Sequence, residues 1–219
     1  MTSQVKYGVL FDCDGTVLDT EPLYAHFWEE QGKIFHPEIQ NFGDLILGKS
    51  LEKILELYFL DNEKDIIRKR MEEYENSIKF KYLPGARELL QSLKDKGIPC
   101  ALVTSSNNDK LKKIEKSRPE FNDFFKIIIT SNKVTNPKPD PEGYIKGAKS
   151  LNLDPKRCIV FEDSISGIKA GKAAGCYVIG LTTSKPKEEI EKLASSVVEN
   201  LSKISFDYIE KNIVPKLPK

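Results

Sequence analysis

Apolar residues along this chain keep two different rhythms. Short continuous runs, Val5–Phe11, Cys100–Val103, Ile127–Ile129, Cys158–Phe161 and Tyr177–Leu181, read as strands buried on both faces. Between them, from Ala86 to Lys96, Asn107 to Ser117, Glu142 to Leu151 and Ser164 to Ala174, apolar positions recur at helical spacing. Strands alternating with helices predict parallel βαβ units and a Rossmann-like, doubly wound α/β sheet. A helix started by Pro186 and a short Val197-Val198 segment close the series.

One long stretch breaks the alternation. After Thr20, a plausible N-cap, Leu23, Phe27, Trp28 and Gln31 mark one helical face, with Gly32 as its expected stop. Leu51, Ile54, Leu55 and Tyr58 mark a second, capped by Ser50, and a charged helix follows from Asp61 to about Lys79. Pro84-Gly85 marks the return to strands. The expected organisation is a discontinuous core, residues 1–17 and 84–219, with an all-helical insert at 18–83. An insert placed just after the first strand is expected to hang over the carboxyl edge of the sheet as a lid.

The strands end on polar residues. The first stops at Asp12-Cys13-Asp14-Gly15-Thr16, and alternation puts Asp12 and Asp14 on one face. Two carboxylates so close need a proton or a cation between them, which points to a hard ion such as magnesium. Thr104-Ser105-Ser106-Asn107 ends another strand on hydroxyls at a helix start, an anion site or simply a cap. Lys138 stands between Pro137 and Pro139, as a fixed point charge for a phosphate or as a solvated lysine. Glu162-Asp163 adds a second acid pair, and capping of the next helix by Asp163 is the reading that needs no ligand.

Composition narrows the field. Lys plus Arg number 34 and Asp plus Glu 33, a net charge of +1, so neither a nucleic-acid nor a membrane surface is indicated. No apolar run approaches bilayer length and the first six residues are mostly polar, so a cytoplasmic protein without a secretory signal is expected. Cys13, Cys100, Cys158 and Cys176 lie in or beside the apolar runs, at no metal-ligand spacing, and are expected as buried thiols.

The order acid pair, hydroxyl, lysine, acid pair resembles the haloacid dehalogenase-like phosphohydrolase superfamily. The matching stretches are Asp12-Cys13-Asp14-Gly15-Thr16, Val103-Thr104-Ser105, Lys138-Pro139-Asp140-Pro141-Glu142 and Phe161-Glu162-Asp163-Ser164 with Gly167. Leu18-Asp19-Thr20-Glu21-Pro22-Leu23 and the helical insert are similar to the subgroup of β-phosphoglucomutase and small-metabolite phosphatases. Lys138 to Gly175 is similar to fungal glycerol-phosphate and deoxyglucose-phosphate phosphatases. The resemblance implies Asp12 as nucleophile, forming a phosphoaspartate, and Asp14 as general acid and base. It implies Mg²⁺ held by Asp12, the Asp14 carbonyl and Asp163, with Glu162 in or near the coordination sphere. Thr104, Ser105 and Lys138 would hold the phosphoryl group.

Dehalogenases of the superfamily lack the second acid, so Asp14 argues against dehalogenation. Mutases of the subgroup use an arginine and a lysine of the insert on a second phosphate, and no arginine occurs between Pro22 and Ile67. The expected enzyme is therefore a phosphatase acting on a sugar or polyol phosphate, with a sugar-phosphate mutase as the alternative. A non-enzymatic phosphate-binding or signalling module is the reading from another class. Lys49 is the insert residue expected at the substrate, and the sequence indicates no oligomeric state.

Overall fold

The computed structural model describes residues 7–46, 49 and 51–218. The chain divides into two compact units, Met1–Leu18 with Lys81–Lys219, and Asp19–Phe80. It opens with strand β1 (Gly8–Phe11). The second unit then supplies helices α1 (Glu21–Phe35), α2 (Phe42–Ile46), α3 (Leu51–Tyr58) and α4 (Asp61–Ser77). The first unit resumes with α5 (Ala86–Asp95), β2 (Cys100–Val103), α6 (Asn108–Ser117), β3 (Ile127–Ile129) and α7 (Glu142–Ser150). It ends with β4 (Cys158–Glu162), α8 (Ile165–Ala173), β5 (Tyr177–Leu181), α9 (Lys187–Ile190), β6 (Ser196–Val198) and short C-terminal turns.

Among the described residues six strands form one parallel sheet in the order β3-β2-β1-β4-β5-β6. The first strand made is thus central. Its Phe11 pairs with Leu102 of β2 on one side and Phe161 of β4 on the other. Chain order reverses at β1, the place where open α/β sheets leave a crevice beyond the carboxyl ends of their strands. On one face Leu10, Val103, Tyr144, Val160, Ile168 and Val178 form a continuous core. On the other, Phe11 stacks on Phe161 at 5.1 Å and meets Phe125 edge-on at 6.3 Å. Burial on both faces explains why the strands read as unbroken apolar runs. Each large side chain so buried contributes roughly 1.5–3 kcal/mol. The Val197-Val198 segment is the sixth, edge strand. All four cysteines are buried free thiols.

The helical unit has its own core, built around Phe27, Trp28, Phe42, Leu55 and Ile67. Several local expectations change here. Gly32 does not end α1; the helix runs to Phe35 with Gly32 packed inside it against Phe42. Thr20 occupies the N-cap position without a side-chain capping bond. Helix α2, too short for periodicity to show, was not anticipated, and α4 stops at Ser77 rather than Lys79. The expected cap Ser50 lies outside the described residues. Where the chain leaves and re-enters the first unit, Leu18 bridges Tyr82 antiparallel and the Leu83 N–H donates to Val17 O at 2.9 Å. Among the described residues no helix is long and apolar enough to cross a membrane.

Candidate active site

The polar ends of β1, β2 and β4, with the loop carrying Lys138, meet at one edge of the sheet. The strand proper stops at Phe11, one residue short of the acids, but the Asp12 N–H still donates to Phe161 O at 3.0 Å. That bond continues the ladder and fixes the Asp12 backbone against β4. Gly15 then turns the chain at φ +73°, where a Cβ would lie 2.1 Å from an Asp163 oxygen. Only glycine fits both the left-handed conformation and that approach.

Lys138 binds the two acid pairs together. Its Nζ donates to Asp12 Oδ1 at 2.5 Å, Glu162 Oε1 at 2.6 Å and Val103 O at 3.0 Å. Three acceptors satisfy the three N–H groups of an ammonium. The side chain is 9% exposed, and its Nζ sits 5.0 Å from the centre of the Tyr144 ring. Burial alone would push the ammonium's pKa down, but Asp12 and Glu162 more than offset this and hold it above its ordinary value.

Glu162 is fully buried and supports the site in several directions. Besides Lys138, its Oε1 accepts from Tyr144 OH at 2.8 Å. Its Oε2 accepts from the Asp163 N–H at 3.1 Å, and from the Ser164 N–H and Oγ at 3.0 Å each. The capping role considered for Asp163 goes instead to Ser164, whose Oγ accepts from the Gly167 N–H at 3.0 Å. Asp163 turns into the site, where Thr16 Oγ1 donates to its Oδ1 at 2.9 Å and Ser184 Oγ to its Oδ2.

Asp12, Glu162 and Asp163 each offer an oxygen within 4.8 Å of the others. Three buried carboxylates are gathered beside one ammonium. Burial first, then the charges of Glu162 and Asp14, raise the Asp12 pKa from 3.8 to about 7 against the opposing pull of Lys138. Burial, then Glu162 and Asp12, hold Asp163 well above the usual carboxylate range. Such a cluster is stabilised by a divalent cation with oxygen ligands, so the donor set fits magnesium. Glu162 already accepts five hydrogen bonds, which leaves Asp12 and Asp163 as the acids with coordination capacity.

The remaining expected residues are placed as follows. The Asp14 side chain lies outside the carboxylate trio; its Oδ1 accepts from Lys110 Nζ and its Oδ2 from Ser106 Oγ, both at 2.7 Å. Thr104 is buried, its N–H donating to Ile129 O at 2.9 Å and its Oγ1 accepting from the Ser106 N–H at 3.0 Å. Ser105 is exposed beside it. Lys49 belongs to the helical unit, exposed, with its Nζ on Leu45 O. Sequence reasoning missed Lys110, Tyr144 and Ser184 and saw Ser106 only as a cap candidate, whereas Asn107 caps α6.

Comparison with known proteins decides the family. The sequence model of the haloacid dehalogenase-like hydrolases matches residues 9–181. The chain belongs to that family. It is 32% identical to a phosphorylated carbohydrates phosphatase of Thermotoga maritima, over 76% of this chain and 81% of that protein. It is 33% identical to glycerol-1-phosphate phosphohydrolase 1 of Saccharomyces cerevisiae, over 87% of this chain and 81% of the yeast protein. A crystal structure of β-phosphoglucomutase from Clostridium difficile matches with a TM-score of 0.71 and 28% identity, covering 95% of this chain and 96% of that one. Within the haloacid dehalogenase-like hydrolases this enzyme stands with the phosphatases, as a phosphoric monoester hydrolase.

Proposed function

We propose that this hydrolase is a magnesium-dependent phosphatase of a small sugar or polyol phosphate, working through a phosphoaspartate on Asp12. The observation that carries the reading is the buried carboxylate trio tied to Lys138 at the carboxyl edge of β1 and β4. The sugar and glycerol phosphates in the names of two relatives point to the substrate class.

Asp12 and Asp163, with the Asp14 backbone carbonyl, would hold the magnesium, and Glu162 would stand near it as their brace. When bound, it supplies positive charge that lets a phosphate dianion approach a carboxylate. An Asp12 oxygen forms the bond to phosphorus as the ester oxygen leaves, and Asp14 gives that oxygen a proton. In the second half Asp14 takes a proton from water, the water oxygen bonds to phosphorus, and the bond to Asp12 breaks. Lys138 neutralises the phosphoryl oxygens, while Thr104 and the Ser105 N–H hydrogen-bond them.

The test is phosphate release from a panel of sugar, polyol and nucleoside monophosphates, with magnesium or EDTA, for the native protein and Asp12→Asn. Magnesium-dependent release that falls about 10⁴-fold or more in Asp12→Asn is expected. Undiminished release in that variant would exclude Asp12 as nucleophile. The likeness to β-phosphoglucomutase keeps one alternative, a mutase. It would convert a hexose 1-phosphate to an isomeric phosphate without releasing free phosphate.

A further inference from the structure

Lys110 sits at the unfavourable end of its helix. It is the third residue of α6, where the positive end of the helix dipole opposes a cation. Yet its side chain is only 14% exposed, and its Nζ donates to Asp14 Oδ1 at 2.7 Å across 96 residues of sequence. Ser106, just before the helix, donates to the other Asp14 oxygen at 2.7 Å.

The backbone that carries Lys110 is itself held. Asn107 caps the helix by accepting from the Lys110 N–H at 2.9 Å. The Asn108 N–H donates to Asn132 Oδ1 at 2.8 Å, and Thr130 Oγ1 donates to Asn108 Oδ1 at 2.7 Å. The first turn of α6 is therefore tied to the residues that follow β3.

We propose that Lys110, assisted by Ser106, is a positioning residue that fixes the Asp14 carboxylate for proton transfer in both half-reactions. The proposal rests on the phosphatase reading for what Asp14 does, and adds what makes Asp14 effective. In the first half the proton leaves an Asp14 oxygen for the ester oxygen as the phosphorus–oxygen ester bond breaks. In the second half the same carboxylate recovers a proton from the attacking water as the bond from Asp12 to phosphorus breaks. A carboxylate 30% exposed on one rotatable stem has several rotamers open to it. Hydrogen bonds from Lys110 and Ser106 hold both of its oxygens and narrow that range.

The experiment is a double-mutant cycle on Lys110→Met and Asp14→Asn in the full chain, with Lys110→Arg and Ser106→Ala beside it. Lys110→Met is expected to lower kcat about 10- to 100-fold. KM should stay within about twofold, because Lys110 acts through Asp14 and not on the substrate. Lys110→Arg should recover most of the loss, and Ser106→Ala should lower kcat by less than Lys110→Met does. In the Asp14→Asn background, Lys110→Met should change the residual rate by less than about twofold. Additive losses in the cycle, or an unchanged kcat in Lys110→Met, would overturn the proposal.

Thermal unfolding of the four proteins of the cycle (native, Lys110→Met, Asp14→Asn and the double variant) gives a readout independent of turnover. Non-additive Tm shifts support the Lys110–Asp14 tether, and additive shifts overturn it. A native protein that releases no phosphate from any ester would sink the phosphatase reading, and the unfolding cycle would then decide the tether on its own.

Discussion

The two acid pairs of this hydrolase look alike in sequence and behave differently in the fold. Asp12 and Asp14 are separated by one residue and diverge: Asp12 is buried against Lys138, while Asp14 turns to Lys110 and Ser106. Glu162 and Asp163 are adjacent and stay together, Glu162 as an internal brace with five hydrogen bonds and Asp163 beside Asp12. The first pair thus divides, with Asp12 in the carboxylate trio and Asp14 outside it, while both members of the second pair belong to the trio and differ in their partners. What separates the tasks is the donors the fold brings to each oxygen, more than the acids themselves.

The strongest way to break this arrangement is at the residue that joins the pairs. Lys138→Met leaves Asp12 and Glu162 without their shared cation. Phosphate release is expected to fall about 10²- to 10³-fold. Stability of the metal-free protein should drop by about 3–5 kcal/mol, read by urea unfolding in EDTA. Retained activity with unchanged stability would show that Lys138 does not join the pairs.

Gly167→Ala attacks only the second pair. A Cβ there would lie 1.6 Å from Glu162 Oε1, on the first turn of α8. The brace must then move, so both Tm and activity are expected to fall, with stability lower by about 2 kcal/mol or more. An unaltered Tm would mean Glu162 can shift without cost.

Proton binding sharpens the comparison. The Asp12 pKa rises from 3.8 to about 7 on folding. An acid raised in this way binds more protons folded than unfolded between those values, so stability falls as pH climbs through that window and stays low above it. The metal-free protein is therefore expected to melt roughly several degrees higher at pH 5 than at pH 7.5. Magnesium should raise Tm more at pH 7.5 than at pH 5, because it competes with the proton for the same oxygens. Differential scanning fluorimetry with EDTA or magnesium reads both, and a rising Tm from pH 5 to 7.5 in EDTA would contradict the shared burial of these acids.

The smallest effect is expected from Tyr144→Phe. It removes the OH that donates to Glu162 Oε1 but keeps the ring beside Lys138. A loss of about 1 kcal/mol, with activity lowered only a few-fold, is expected from one buried hydrogen bond. A loss as large as that of Lys138→Met would make Tyr144 a principal support of the site.

The sheet was legible because burial on both faces leaves unbroken apolar runs such as Cys100–Val103, and Phe11 and Leu102 do pair. Asp12, Lys138, Glu162 and Asp163 were legible because each ends a strand or sits in a stiff loop. Lys110, Tyr144 and Ser184 were not. Their partners lie 96, 18 and 21 residues away, and no local pattern links them. Lys110 did carry one faint sign, a cation in the first turn of a helix. The helix start offered two caps, Ser106 and Asn107, and only the fold shows that Asn107 is the one used. Helix α2 was missed because five residues hold too little periodicity.

The central place of β1 also sets the timing of the protein's birth. The strand that leads to Asp12 leaves the ribosome before the other strands of the sheet, yet the Lys138 that grips Asp12 comes 126 residues later, and Asp163 follows Thr16 by 147. Ser184, which holds Asp163, comes later still. A nascent chain therefore carries Asp12 long before the groups that hold it, and the carboxylate cluster assembles only once the later strands dock. A chain stopped at the end of β5 would hold all the acids and Lys138 but lack the Ser184 that donates to Asp163.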